Sequence, residues 1–207
     1  MGSYVELHCH SNFSLLDGAS HPEELVSRAH ELGMSALAIT DHDGLYGAVR
    51  FYKAARELGI KPIIGCELTL ENGYHLILLA ENKTGYSNLC RLISYYHLGS
   101  SKARPTLNWA TLSNLSSGLI CLSGCRKGEI YSYLLKREES NAIAAAKKYL
   151  KVFGRENFFI ELQNHYLPDD ERLRQQLVSV ARKLGIRYVA TNNVHYARNV
   201  AEKCLSA

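Results

Sequence analysis

His8 and His10 stand one residue apart at the end of a short apolar run. Side chains along an extended strand alternate between its faces, so residues two apart point the same way. Imidazole nitrogen is the commonest metal ligand at neutral pH, and a His-x-His pair aims two such donors at one point. Alone, the pair is equally compatible with a strand-end cap and a solvated histidine. The weight comes from what else follows the strand-like runs: Asp17 in the first loop, Asp41 and His42, Glu67, Cys125, Gln163 and His165, then Asn193 and His195. Solvated loops are richer in Lys, Ser and Gly and poorer in His, so this set points to a metal centre. It holds too many donors for one tetrahedral ion. It suits two or three divalent ions sharing a bridging carboxylate, for which Glu67 and Asp17 are the candidates. Imidazole with carboxylate fits zinc, manganese or iron and fits magnesium or calcium poorly. Two ions about 3.5–4 Å apart form the usual clamp for phosphate-ester hydrolysis. No nucleophile elbow or Ser-His-Asp order offers a competing mechanism.

The elements that must carry these donors alternate regularly. Strands are predicted at residues 4–8, 36–40, 62–66, 74–80, 119–122, 158–162 and 187–190. Helices are predicted at 20–33 (Ser20 as N-cap, Glu23 completing a capping box), 48–58, 86–96, 109–115 (one or two turns), 129–136, 140–153 and 169–184. The stretch 99–108 reads as a polar loop. The helix-Gly-strand phrases ELGMSALAIT, ELGIKPIIG and KLGIRYVAT repeat one junction three times. Continuous apolar strands between helices argue a parallel α/β sheet. Six or seven such units suggest a barrel, whose chemistry sits at the C-terminal ends of the strands. An open doubly wound sheet is the rival, and without a Gly-rich fingerprint after the first strand it is not a dinucleotide fold.

Composition bounds the rest. The 207 residues suit one domain, and 46% apolar content suffices for a core. No run spans a bilayer and no secretory leader pattern appears, so a cytoplasmic protein with no membrane partner is expected. The six cysteines are scattered like reduced thiols, and Cys121 and Cys125 lack a second pair to complete a zinc ribbon. A net charge of +4 permits a phosphate-bearing partner without demanding one. Lys136, Arg137, Lys147, Lys148, Lys151, Arg182 and Lys183 read as a solvated helix face more readily than as a nucleic-acid track.

The run LHCHSNFSLLDGASHPEELVSRAHELGMSALAITDHDGLYGAVRFYKAARELGIKPIIGCE resembles the PHP (polymerase and histidinol phosphatase) domain family. More narrowly, it is similar to the N-terminal PHP region of bacterial DNA polymerase III alpha subunits. HLILLAENKTGYSNLCRLIS, GLICLSGC, FFIELQNH and VATNNVHYA agree, and HSNFSLLDGASHPEEL and TNNVHYA lean towards the error-prone branch. The resemblance covers essentially the whole chain. It implies a distorted (β/α)7 barrel of TIM-like type with up to three metal ions. It places ligands on His8, His10, Asp17, His42, Glu67, Cys125 and His195, with His97 in YYHLG as a looser match that also reads as a helix-end histidine. His75, inside a strand, reads as structural; His165 flanks the site; His21 and His30 are surface residues of the first helix.

One departure is chemical: metal-binding members carry Asn-Asp-Val-His where this chain has Asn192-Asn193-Val194-His195. Asn193 stands at an aspartate ligand position and offers a neutral amide. The other departure is length, since no palm, fingers or thumb is present. AEKCLSA resembles the start of a following polymerase segment, so an excised domain, residues 1–207, is expected. The implied activity is a metal-dependent phosphoesterase, most concretely a 3′–5′ exonuclease, with Asp41 and His42 assisting beside the ions. DNA, the rest of a polymerase chain and replication or repair factors are the implied partners. The alternatives are a non-catalytic metal-binding support and a stand-alone phosphatase of the histidinol phosphate type.

Overall fold

The computed structural model describes residues 4–98 and 107–198. In chain order the elements are α1 (Pro22–Glu31), β1 (Ala36–Ile39), α2 (Ala48–Glu57), β2 (Lys61–Thr69), β3 (His75–Ala80), α3 (Lys83–Leu98), α4 (Trp109–Asn114), β4 (Leu119–Leu122), α5 (Glu129–Leu135), α6 (Glu139–Asn157), β5 (Phe158–Leu162), α7 (Asp170–Leu184) and β6 (Arg187–Ala190). Most of the polar stretch at 99–108, and the tail with Cys204, fall outside the described residues. The helix-Gly-strand phrases end α1, α2 and α7 because Gly33, Gly59 and Gly185 take φ of 70°, 70° and 63°, a region most L-residues avoid. α1 begins one residue later than expected. His21 is its N-cap and Glu24 accepts the His21 backbone N–H at 2.8 Å, while the Ser20 hydroxyl accepts from Ala197 N instead.

The sheet has six strands in the order β1-β2-β3-β4-β5-β6. It is mixed rather than all parallel, because β3 runs antiparallel to both β2 and β4. A parallel return needs a crossover of a dozen or more residues, and only residues 70–74 lie between β2 and β3. That connector closes as a tight turn, with Gly73 N bonding Leu70 O at 2.8 Å and Leu70 N bonding Tyr74 O at 2.9 Å.

The expected first strand, residues 4–8, is instead two single bridges, Glu6 to Leu37 and Cys9 to Val194. Side chains take the place of ladder partners there. The Glu6 carboxylate accepts from Leu7 N and His8 N, and Thr40 Oγ1 accepts from Cys9 N. The segment still bonds β1 on one side, through Ala38 N to Glu6 O and Thr40 N to Cys9 O. On the other it bonds the stretch after β6, through His10 N to Val194 O and Val194 N to His8 O.

Strand parity sorts residues between two faces. Cys66, Leu68, Leu76, Leu78, Cys121, Phe158 and Ile160 face the helices in the main core. Ile77, Leu79 and Leu122, with Ile63 and Phe159 beside them, form a smaller cluster on the concave side. α1, α2 and β1 share a third cluster around Phe51, Val26 and Ile39; each such buried side chain contributes about 1.5–3 kcal/mol. Among the described residues no helix is long and apolar enough to cross a membrane.

Candidate metal centre

Parity places Glu67, His75 and Glu161 on the concave face, opposite Cys66, Leu68, Leu76 and Ile160. Glu67 lies near the end of β2 and His75 opens β3, two positions along from Ile77, which pairs with Glu67. Because β3 is antiparallel, its first residue sits at the end of the sheet where β2 and β5 finish. His8 and His10 reach the same point from the bridging segment, and His42 from the loop after β1, itself bridged to Glu67.

Glu67, 1% exposed, is the hub. Its Oε2 lies 3.0 Å from His10 Nε2, 3.2 Å from His8 Nε2 and 3.6 Å from His42 Nε2. Its Oε1 lies 2.9 Å from His75 Nδ1 and 3.5 Å from Cys125 Sγ. Asp17 Oδ2 closes the outer side, 2.9 Å from His42 Nε2 and 3.3 Å from His195 Nε2. The His10 ring stacks between those of His42 and His195, at 4.6 and 4.8 Å. Among the described residues three triads have ligand atoms within 4.8 Å of one another: His8, His10, Glu67; His10, Asp17, His42; and His42, Glu67, His75.

The loop that carries Asp17 is pinned by Asp41. This carboxylate, 2% exposed, accepts from Ser11 N, Ser11 Oγ and Ser14 Oγ, each at 2.7 Å. Ser14 Oγ also lies 3.1 Å from His10 Nδ1, so Asp41 holds the loop and reaches the cluster through Ser14. Gly18 lets the loop close: a Cβ there would stand 1.9 Å from the Ser11 carbonyl oxygen. Gly18→Ala is therefore expected to displace Asp17 and weaken cation binding at the outer triad roughly tenfold, for a strain of about 1–3 kcal/mol. Titration calorimetry with zinc should show this while the buried triad keeps its affinity.

His97 is not brought into the cluster. It sits at the end of α3 and its Nε2 donates to the Asp43 carbonyl at 2.7 Å, beside Tyr96, whose hydroxyl bonds Asp43 Oδ2 at 2.8 Å. Both hold α3 to the loop behind His42. His75, and not His97, lies beside Glu67 in the cluster. Asn193 lines the cleft with Cys125, Gln163, His165 and His195; it takes φ 48°, and its Oδ1 is buried without a partner. Arg126 and Lys127 line the same cleft, Arg126 being held by Asp169 and Asp170 at 2.9 and 2.7 Å. Farther away, Lys183 bonds Glu139 at 2.5 Å and Lys148 covers the Trp109 ring at 3.9 Å, as a solvated, internally paired helix face would.

Burial and close partners shift the ionisation of the clustered groups in both directions. Burial alone would raise the Glu67 carboxyl, but His8 and the hydrogen bonds from His10 and His75 outweigh it and hold it well below the usual range. Burial would depress His8, yet Glu161 and then Glu67 outweigh it and raise its pKa to about 10. Burial raises the Cys125 thiol, with Glu67 adding to it. Desolvation dominates at His42 and lowers it.

The donor set fits divalent metal. Imidazole and carboxylate donors this close match zinc-type bonds of about 2.0–2.2 Å. The unpartnered Asn193 Oδ1 and a second buried, unpartnered oxygen, Glu161 Oε2, are what a polar, cation-binding pocket leaves when its protein partners are counted alone.

A sequence profile of the PHP domain matches residues 6–165. The chain is 45% identical over 211 residues to the error-prone DNA polymerase of Symbiobacterium thermophilum, covering 94% of this chain and 19% of that one. It is 43% identical over 209 residues to DNA polymerase III subunit alpha of Treponema pallidum, covering 94% and 18%. The chain thus spans about a fifth of the length of the curated relatives it matches. Among solved structures, histidinol phosphate phosphatase from Lactococcus lactis, complexed with zinc, L-histidinol and phosphate, superposes with a TM-score of 0.54. The overlap covers 98% of this chain and 91% of that one at 13% identity, a likeness of fold.

Proposed function

The chain belongs to the PHP domain family, and on that premise we propose that it is a metal-dependent phosphoesterase domain of a DNA polymerase III alpha-type chain, hydrolysing the 3′-terminal phosphodiester of DNA. The observation that carries this is the sharing of one buried carboxylate, Glu67, by two of three converging ligand triads. Shared carboxylates hold ions at the spacing that phosphate-ester hydrolysis uses. The ligand set we propose is His8, His10, Asp17, His42, Glu67, His75, Asn193 and His195, with Cys125 beside it. Two or three ions of zinc, manganese or iron would be held. Such ions, when bound, supply Lewis acidity to phosphate oxygens and a water acidified near neutral pH.

The chain's own residues do the rest. Asp41 fixes the Ser11–Ser14 turn that presents Asp17. Lys127, which lines the same cleft, would offer positive charge to a phosphodiester, whereas the Arg126 charge is balanced by Asp169 and Asp170. His165, 3.2 Å from Gln163 Oε1, borders the same cleft and would orient the leaving strand. The finer architecture proposed with this reading is a distorted (β/α)7 barrel, with the segment from Glu6 to His10 as seventh stave. Its backbone bonds to β1 and to residue 194 support that. A cytoplasmic setting, a polymerase chain as covalent context, and replication or repair factors as partners complete the proposal.

A second reading, a non-catalytic metal-binding support, is favoured by Asn193, whose amide is a poorer ligand than a carboxylate. Elemental analysis of protein purified without chelator or nickel resin separates the two when combined with a 5′-labelled oligonucleotide assay. Two or three equivalents of metal, with chelator-sensitive shortening from the 3′ end, is the expected result. Full metal without shortening supports the second reading. Substoichiometric metal that reconstitution cannot raise removes both, and preferential hydrolysis of histidinol phosphate would replace DNA as substrate.

A further inference from the structure

Glu161 lies fully buried on β5, facing the concave side. Its Oε1 accepts from His8 Nδ1 at 2.7 Å, from Gln163 Nε2 at 2.8 Å and from the Thr191 hydroxyl. Among the described residues its Oε2 has no partner. A carboxylate can only accept hydrogen bonds, so the His8 ring must carry a proton on Nδ1. The ring's other nitrogen, Nε2, is the atom aimed at the cluster, 3.1 Å from His10 Nε2 and 3.2 Å from Glu67 Oε2, and is the one a metal ion would take. Gln163, just past β5, and Thr191, just past β6, also hold the carboxylate, so its direction does not rest on His8 alone.

We infer that Glu161 is a positioning residue of the metal centre: acting through His8, it selects the ring's tautomer and orientation and raises the basicity of Nε2 as a ligand. This rests on the reading of the cluster as a metal centre. Carboxylate partners of ligating histidines act in this way generally, and their loss weakens metal binding roughly 10- to 100-fold. The carboxylate must also be supplied from β5, because the His8 ring faces inward from a segment whose own acidic residue, Glu6, is committed to Leu7 N, His8 N, Asn192 N and the Tyr4 hydroxyl.

The test uses the 207-residue chain, stripped by chelator and titrated with zinc against a chromophoric competitor. Wild type, Glu161→Gln, His8→Ala and the double variant form a cycle. Glu161→Gln keeps the shape and is expected to weaken the tightest zinc site roughly 10- to 100-fold. In the His8→Ala background the same change should add less than about twofold, the limit of independent behaviour. An unaltered affinity in Glu161→Gln, or an undiminished loss when His8 is already absent, overturns the inference. Should Glu161→Gln fail to fold by circular dichroism, Thr191→Val replaces it. Removing one of the three donors should then give a smaller loss in the same direction, and an unchanged affinity overturns the inference equally. A wild type that takes up no zinc overturns the metal-centre reading itself, whereas a zinc-binding wild type with an insensitive Glu161→Gln removes only the role of Glu161.

Discussion

Glu67→Gln is expected to abolish hydrolysis and to cost the centre its metal. Glu67 contributes to two of the three triads, and its two oxygens face different partners: Oε2 the pair His8 and His10, Oε1 the pair His75 and Cys125. An amide keeps one acceptor and replaces the other with a donor, aimed at imidazoles whose lone pairs are needed for the ion. It also removes the charge that balances a divalent cation in a site 1% exposed. Removing one partner of a buried charged set costs about 3–5 kcal/mol, which corresponds to roughly two to three and a half orders of magnitude in affinity. Elemental analysis and competition titration measure this directly. Because the main hydrophobic core lies on the other face of β2, the far-ultraviolet dichroism of the variant should match wild type. Retention of full metal content in Glu67→Gln would show that Glu67 is not the shared ligand.

Asn193→Asp should act with opposite sign on the metal-free and metal-loaded protein. Asn193 takes φ 48°, a conformation that Asn and Asp both tolerate, so the backbone gains no strain. Its Oδ1 is buried with no protein partner, in the cleft lined by Asp17, His42 and His195. A carboxylate there without an ion is a desolvated charge, and burying a charge without a partner is costly. The chelator-treated variant should therefore melt several degrees below wild type, at the usual scale of about 2–4 °C per kcal/mol for a chain of this size. With zinc or manganese the order should reverse. The weakest ion should bind roughly 10- to 100-fold more tightly, as expected when a neutral oxygen donor becomes an anionic one, and hydrolysis should rise with occupancy. Scanning calorimetry with and without metal gives both signs in one experiment. Unchanged melting in both states, with unchanged hydrolysis, would show that position 193 does not face an ion.

His8, His10, His42 and Glu67 were legible in the chain because each follows or ends a strand-like run, and strand parity is a local property. Glu161 was visible as a residue of FFIELQNH but its use was not, since nothing local says that β5 and the segment at His8 face each other. His75 reads as structural in the sequence, and the fold sets it beside Glu67. A histidine that opens a strand lies far from the chemistry if all strands are parallel, and here its strand is antiparallel to both neighbours. The signal was present in Asn72-Gly73 within a connector too short for a crossover, a hairpin signature. His97 was placed by resemblance on a helix end, where its hydrogen bond to Asp43 O is a packing contact. Asp41 stands at a strand end in the sequence, and the fold of residues 11–18 shows its oxygens bonded by Ser11 and Ser14.

By itself the sequence determined the order of the helices and of every strand but the first, with bounds that the structure moves by up to four residues. Those depend on apolar periodicity, on caps and on glycines at helix ends, all decided within a few residues. It also determined the kind of donors gathered at one end of the sheet, and hence the class of chemistry. The tertiary structure alone decided strand direction at β3, the choice of His75 over His97, and the pairing of Glu161 with His8 across 153 residues. Those depend on which elements become neighbours. Neighbourhood is set by the closure of long loops and the burial of whole faces, quantities that no local window of the chain contains.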